Sequence, residues 1–213
     1  INQSNDMLRF EKRFSIVESA NHVISSDQIW IQSSGILNGQ SSLTSIIKFL
    51  LPISPFQIEF ENQINDPILA IDVNGFRMTE VEIKELVIEN LKVLYDFHIT
   101  KDTLEREVYL LKIGKKEAIT FTESVWSINL PDEIISGDKF WKGFKINFDE
   151  LLLYLESVVN RKIINQTDEQ RRFDCQIPHN LSLNEVKKYL FNNYGLILEK
   201  TIIPLEVIIV QFK

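Results

Sequence analysis

Residues 162–178 read KIINQTDEQRRFDCQIP, residues 181–200 read LSLNEVKKYLFNNYGLILEK, and residues 204–212 read PLEVIIVQF. The first piece is a short apolar run, a polar loop and an alternating segment that ends at Pro178. Alternation of apolar and polar residues marks a half-buried strand, because successive side chains point to opposite faces. The second piece reads as a capped amphipathic helix over 182–193. Gly195 follows, and the remaining apolar residues form two β-prone runs, 196–200 and 205–212, separated by a turn before Pro204. Strand, capped helix and strand pair define a small α+β unit. Apart from Cys175, no candidate nucleophile, metal cluster or phosphate-cradling loop is visible in it.

Working outward, the same order of elements occurs earlier. The first half predicts a helix over 43–51, a strand over 68–73, a helix over 79–94, and strands over 96–100 and 107–113. The second half predicts a helix over 149–159, a strand over 172–177, the helix over 182–193, and the two closing strands. Ser42 and Thr79 are positioned to cap the first two helices, Asp149 the third, and Pro52 ends the first. In each half the strand before the second helix carries an apolar-Asp-apolar triplet, Ile71-Asp72-Val73 and Phe173-Asp174-Cys175. An internal repeat of this length implies two similar small units, each a short mixed sheet packed with two helices.

Short strands are expected at 14–18 and 28–32, one or two more within 118–130, and another over 144–148. Residues 131–143 are polar and contain glycine, which marks a linker. The expected division is a first unit over 10–130 with extra N-terminal strands, a linker over 131–143, and a second unit over 144–213. Residues 1–9 read as a loose lead-in.

The chain has 213 residues, 44% hydrophobic and 25% charged, enough for a real core. Its 23 basic and 30 acidic residues leave a net charge of -7, a poor match for a phosphate backbone, so nucleic acid is not an expected partner. Pairs such as Lys115-Lys116, Arg171-Arg172 and Lys187-Lys188 read as solvated faces. No apolar run approaches the roughly 18–20 residues that cross a bilayer. The first residue is Ile1, which is consistent with a mature or excised portion.

The second half resembles the bacterial DUF3738 family, extracytoplasmic proteins without an assigned biochemical role. That family tends to read Arg-Pro-Val-x-Asp-x-Thr-Gly-Leu-x-Gly-x-Tyr-Asp-Phe before its last helix. Here Arg161, Ile163, Thr167, Phe173 and Asp174 fall at the same spacing, followed by Leu190, Gly195, Leu196, Leu198, Glu199, Pro204, Glu206 and Val207. The first half is similar around residues 14–17, 43–47, 55–58, 71–73 and 105–110. Lys162, Asn165, Asp168 and Arg171 replace the family's Pro, Asp and two Gly, which predicts a different shape for the loop 165–171. Each half is also similar to the short N-terminal domain of secretins and TonB-dependent receptors. The resemblance implies an extracytoplasmic location and contacts with another envelope protein or a fused domain, and it brings no catalytic residues.

Candidate chemistry is sparse. His22, His98 and His179 are far apart and fit no zinc spacing. His98 is expected to point away from Phe97 and Ile99. Cys175 is a possible thiol nucleophile, with His179 four residues on, or a buried inert cysteine. Asp72 and Asp174 read as paired carboxylates or as bonds to neighbouring strands. Trp30 and Trp126 are further large aromatics, but the densest group is FWKGF at 140–144. Phe140, Trp141 and Phe144 read as a partner-binding patch or as a core plug. No cofactor or metal is implied. The leading expectation is a non-enzymatic protein-interaction module, the alternative a small-ligand or envelope-polymer sensor with a pocket between the halves.

Overall fold

The computed structural model describes residues 13–18, 28–32, 36–62, 65–75, 78–121 and 133–213. It has the expected α+β composition. In chain order the elements are β1 (Arg13–Glu18), β2 (Gln28–Gln32), β3 (Ile36–Ser42), α1 (Leu43–Leu50), β4 (Ile58–Glu61), β5 (Ile68–Asn74), α2 (Glu80–Tyr95) and β6 (Phe97–Ile113). Then follow β7 (Glu133–Ser136), β8 (Phe140–Ile146), α3 (Phe148–Val159), β9 (Ile163–Asn165), β10 (Phe173–Pro178), α4 (Leu183–Tyr194) and β11 (Leu196–Phe212).

The chain divides into two units. The first is Ile1–Asp102 with Val207–Lys213, and the second is Thr103–Glu206. The division therefore does not fall at 131–143. That stretch lies inside the second unit, where β7 and the start of β8 occupy most of its described part. Its polar residues suit strands whose outer face meets solvent, so polarity there marks exposure and not a linker.

In the first unit the sheet β1-β5-β3-β2 is antiparallel throughout. Leu69, Ile71 and Val73 of β5 face the core, with α1 contributing Leu43, Ile46, Ile47 and Leu50 and α2 contributing Ile83, Val87 and Leu91. A helix of eight residues such as α1 is not stable alone. Burial of its four apolar side chains, about 2 kcal/mol each, holds it against the sheet. Ser42 caps it by accepting from the Ser45 amide. Strand β3 escapes the alternation test because its inward positions are Leu37, Gly39 and the buried Ser41, and only the first is apolar. Strand β4, pairing parallel with residues 208–211 of β11, was likewise not expected.

The second unit has the sheet β10-β8-β7, also antiparallel. Its core gathers Phe148, Leu151 and Leu155 of α3, Val186 and Leu190 of α4, and Ile146, Phe173 and Ile177. A capping box at Asn147 and Glu150 starts α3, so the cap is Asn147 and Asp149 lies in the first turn. Thr79 with Glu82 and Ser182 with Glu185 form the same box on α2 and α4.

The largest departure from the sequence reading is in the long strands. Residues 97–113 and 196–212 are each one strand of 17 residues, not two strands and a turn. They are hydrogen-bonded neighbours in the order β4-β11-β6-β9, with β9 parallel to residues 109–111. The amide of Lys213 reaches the Asp96 carbonyl, and that of Gly114 reaches the Gly195 carbonyl, so the two strands run antiparallel. Side-chain period reports which face is buried, not whether the backbone pairs. Most of residues 100–107 are exposed, so the alternation fades although the strand continues. Lys200 with Glu107 and Lys112 with Glu199 link β11 to β6 on that surface. Pro204 is accommodated because β4 pairs only with 208–211, so the rest of β11 has one open side among the described residues.

Candidate functional site

The run at 140–144 is strand β8, and strand geometry sends its aromatics to opposite faces. Trp141 points into the core of the second unit, is 5% exposed, and stacks on Tyr154 of α3 with ring centroids 4.5 Å apart and planes 7° from parallel. Phe140 and Lys142 share the other face, the ammonium lying 4.5 Å from the Phe140 ring centroid. Phe144 is 39% exposed. The three candidate residues are therefore not one patch. Trp141 belongs to the core, and Phe140 and Phe144 remain outside it.

A bulge beside Phe144 shapes this face. Opposite Cys175 stands Gly143, but opposite Phe173 stands Ile146, so β8 carries one extra residue. Lys145 takes up the irregularity with a φ of 51°, a left-handed conformation unusual for a residue with a side chain. Its amide donates to the Asp174 carboxylate at 2.8 Å, and Arg172 donates to its carbonyl at 2.6 Å. Asp174 thus ties β10 to the bulge. Gly143 is needed on the inner side, where a Cβ would stand 2.7 Å from two atoms of Ile146.

Beside β8 lies β7, the last strand of its sheet, with no further strand on its outer side among the described residues. Ile134 pairs with Gly143 and Ile135 with Lys142, and they are 50% and 41% exposed. Sequence reading missed both, because the surrounding residues are polar. The available signal was the β-branched pair itself, two isoleucines side by side. Ile134, Ile135 and Phe144 place apolar surface on and next to an open strand edge.

Cys175 is buried, and burial pushes its thiol up to about 12, which keeps it protonated and unreactive. The Tyr194 hydroxyl accepts from the Gln176 amide at 2.8 Å and donates to the Gln176 carbonyl at 3.1 Å. Burial raises this phenol well above the usual range. The His179 amide donates to the Lys139 carbonyl, and its Nδ1 lies 3.5 Å from the Tyr154 hydroxyl. Asp72 sits in β5 between Ser15 of β1 and Asn38 of β3. His98 is exposed between buried Phe97 and half-buried Ile99, as the alternation predicts. His22 and Trp126 lie outside the described residues, as does the side chain of Trp30. Among the described residues no three His, Cys, Asp or Glu gather to hold a metal, and no helix is long and apolar enough to cross a membrane.

Loop 165–171 is tied by its own side chains. The Asn165 carbonyl oxygen accepts from the Thr167 amide at 3.0 Å and hydroxyl at 2.7 Å. Asp168, where the resembled family has glycine, takes a φ of 51°, which Asp tolerates better than most residues. Arg171 donates to both oxygens of Glu169 at 2.9 and 2.6 Å, and Lys116 lies 3.2 Å from the same carboxylate. These donors, led by Arg171, hold the Glu169 carboxyl well below the usual range. The Arg171 guanidinium also lies over the Phe121 ring at 3.8 Å. Lys162 pairs at 2.8 Å with buried Glu156, which also accepts the Ile163 amide.

These features define a small α+β protein with an apolar strand edge. Comparison with protein-family models, curated proteins and solved structures finds no match. The likeness to DUF3738 rests on residue pattern alone.

Proposed function

We propose that this chain is a non-enzymatic protein-interaction module of the bacterial cell envelope. In this reading it docks an extended segment of another envelope protein, or of a fused domain, onto β7. One observation carries the proposal: Ile134 and Ile135 expose apolar surface beside Phe144 on a strand that is the last of its sheet among the described residues. Native sheets usually blunt such an edge with charge or proline, and an apolar edge left open suits strand addition. The extracytoplasmic location is supported by the DUF3738-like pattern. The duplication of the two halves belongs to the same proposal. It is supported by the order of α1, β4, β5, α2, β6, which α3, β9, β10, α4, β11 follows in turn.

A photo-crosslinking residue at position 144, in cells of the source bacterium, tests this directly. A discrete crosslinked band in the envelope fraction should form and disappear in the Ile135→Lys background. No band, or a band indifferent to Ile135→Lys, would remove the docking claim. Recovery of the chain in the cytoplasmic fraction would remove the location.

A further inference from the structure

A cavity of about 410 Å³ opens in the first unit, where the end of β5 meets α2. Phe14, Val73, Met78 and Leu86 supply apolar walls, and Asn74 and Asn90 supply the side-chain amides. None of the described lining residues is charged. The volume lies within the roughly 300–1,000 Å³ of small-molecule sites, whose usual form is apolar walls with a few placed polar groups.

The polar groups narrow the chemistry. The Asn90 amide nitrogen donates to the Leu86 carbonyl one turn back at 2.8 Å, which leaves the Asn90 carbonyl oxygen as an acceptor. Phe14 and Leu86 remain exposed at the mouth although they are large and apolar. Met78 is an adaptable wall, since an unbranched thioether fills irregular space. A charged ligand group entering here would lose water and meet no counter-charge among the described lining residues. We infer that the cavity is a binding site for a neutral, mainly apolar small molecule that carries a hydroxyl or N–H donor for Asn90. The site shares no residue with the β7 edge of the second unit, so either reading can fail alone.

The test is fluorescence titration of the full chain with N-phenyl-1-naphthylamine, an uncharged aromatic amine with one N–H. The expected result is saturable binding at one probe per chain. Leu86→Lys, at an exposed helix position, should weaken it about tenfold by placing an unpaired charge at the mouth. Asn90→Leu should weaken it roughly threefold by removing the acceptor. The anionic 8-anilinonaphthalene-1-sulfonate should bind about tenfold more weakly than the neutral probe. Unchanged circular-dichroism melts would confirm that both variants fold. Absence of saturable binding, or binding indifferent to both substitutions, overturns the site. Equal affinity for the sulfonate overturns the neutral ligand class.

Discussion

Gly195→Ala is the sharpest probe of the second unit. Gly195 ends α4 with φ 63° and ψ 18°, and its amide bonds back to the carbonyls of Leu190 and Phe191. Its own carbonyl accepts from the amides of Gly114 at 2.7 Å and Lys115 at 3.0 Å. A Cβ at this position would lie 2.2 Å from the Lys115 carbonyl oxygen and 2.7 Å from the Lys115 Cβ. The left-handed conformation costs alanine about 1–2 kcal/mol. Relief of the clash must move a backbone, not a side-chain tip. That movement loosens the two hydrogen bonds to Gly195 and the one from Ala118 to the Lys115 carbonyl, at about 1 kcal/mol each.

The expected loss is about 4–5 kcal/mol, which for a chain of this size lowers Tm by roughly 8–20 °C. Urea unfolding followed by circular dichroism should show a lower midpoint with an unchanged slope. Two controls separate the causes. Asn160 ends α3 with a φ of 51° and is exposed, so Asn160→Ala incurs the conformational term alone, about 1 kcal/mol. Gly195→Asn tolerates the dihedral but keeps the clash, so it should still cost about 2 kcal/mol or more. Wild-type stability for Gly195→Asn, or equal losses for Gly195→Ala and Asn160→Ala, would refute the close approach of residues 115 and 195.

The β8 aromatics separate by the same assay. Trp141→Ala should cost about 3–5 kcal/mol as a buried aromatic, whereas Phe144→Ser should stay within about 0.5 kcal/mol; similar losses for both would contradict the split between faces. Cys175 gives a pH dependence. Burial raises its thiol from the ordinary 9.0 to about 12, so below pH 9 both folded and unfolded forms are protonated and its contribution is fully present. As pH climbs above 9 the unfolded thiol ionises first, and stability falls by about 1.4 kcal/mol per unit for this group until the folded value is reached. Cys175→Ala should flatten urea-midpoint curves between pH 9 and 10, before the unfolded tyrosines ionise strongly. The native thiol should resist iodoacetamide at pH 8 and react once urea is added; rapid native alkylation would refute its burial.

Helix positions were legible because their signals are local. Ser42 and Thr79 cap where the sequence places them, and the apolar stripe Leu43-Ile46-Ile47-Leu50 is buried as its spacing requires. Strand ends were less legible. Strand β6 pairs with β11 through backbone groups that every residue carries, so side chains do not announce the strand. Leu37 alone marks β3, since its neighbours in β5 supply the apolar surface that β3 lacks. The candidate surface was half visible. The FWKGF run drew notice, but which of its aromatics faced solvent depended on the inward position of Trp141 against Tyr154.

The stretch 162–212 by itself determined a strand, a capped helix ended by glycine, and an extended apolar close, because caps, periodicity and the αL position at Gly195 are properties of adjacent residues. Tertiary structure decided that residues 196–212 are one strand, and that the last seven residues of the chain belong with the first unit. It also decided that Asp174 serves a bulge in β8 and that Ile134 and Ile135 lie on an edge with no further strand among the described residues. Those outcomes depend on partners distant in sequence, whose backbone hydrogen bonds and burial no local pattern records.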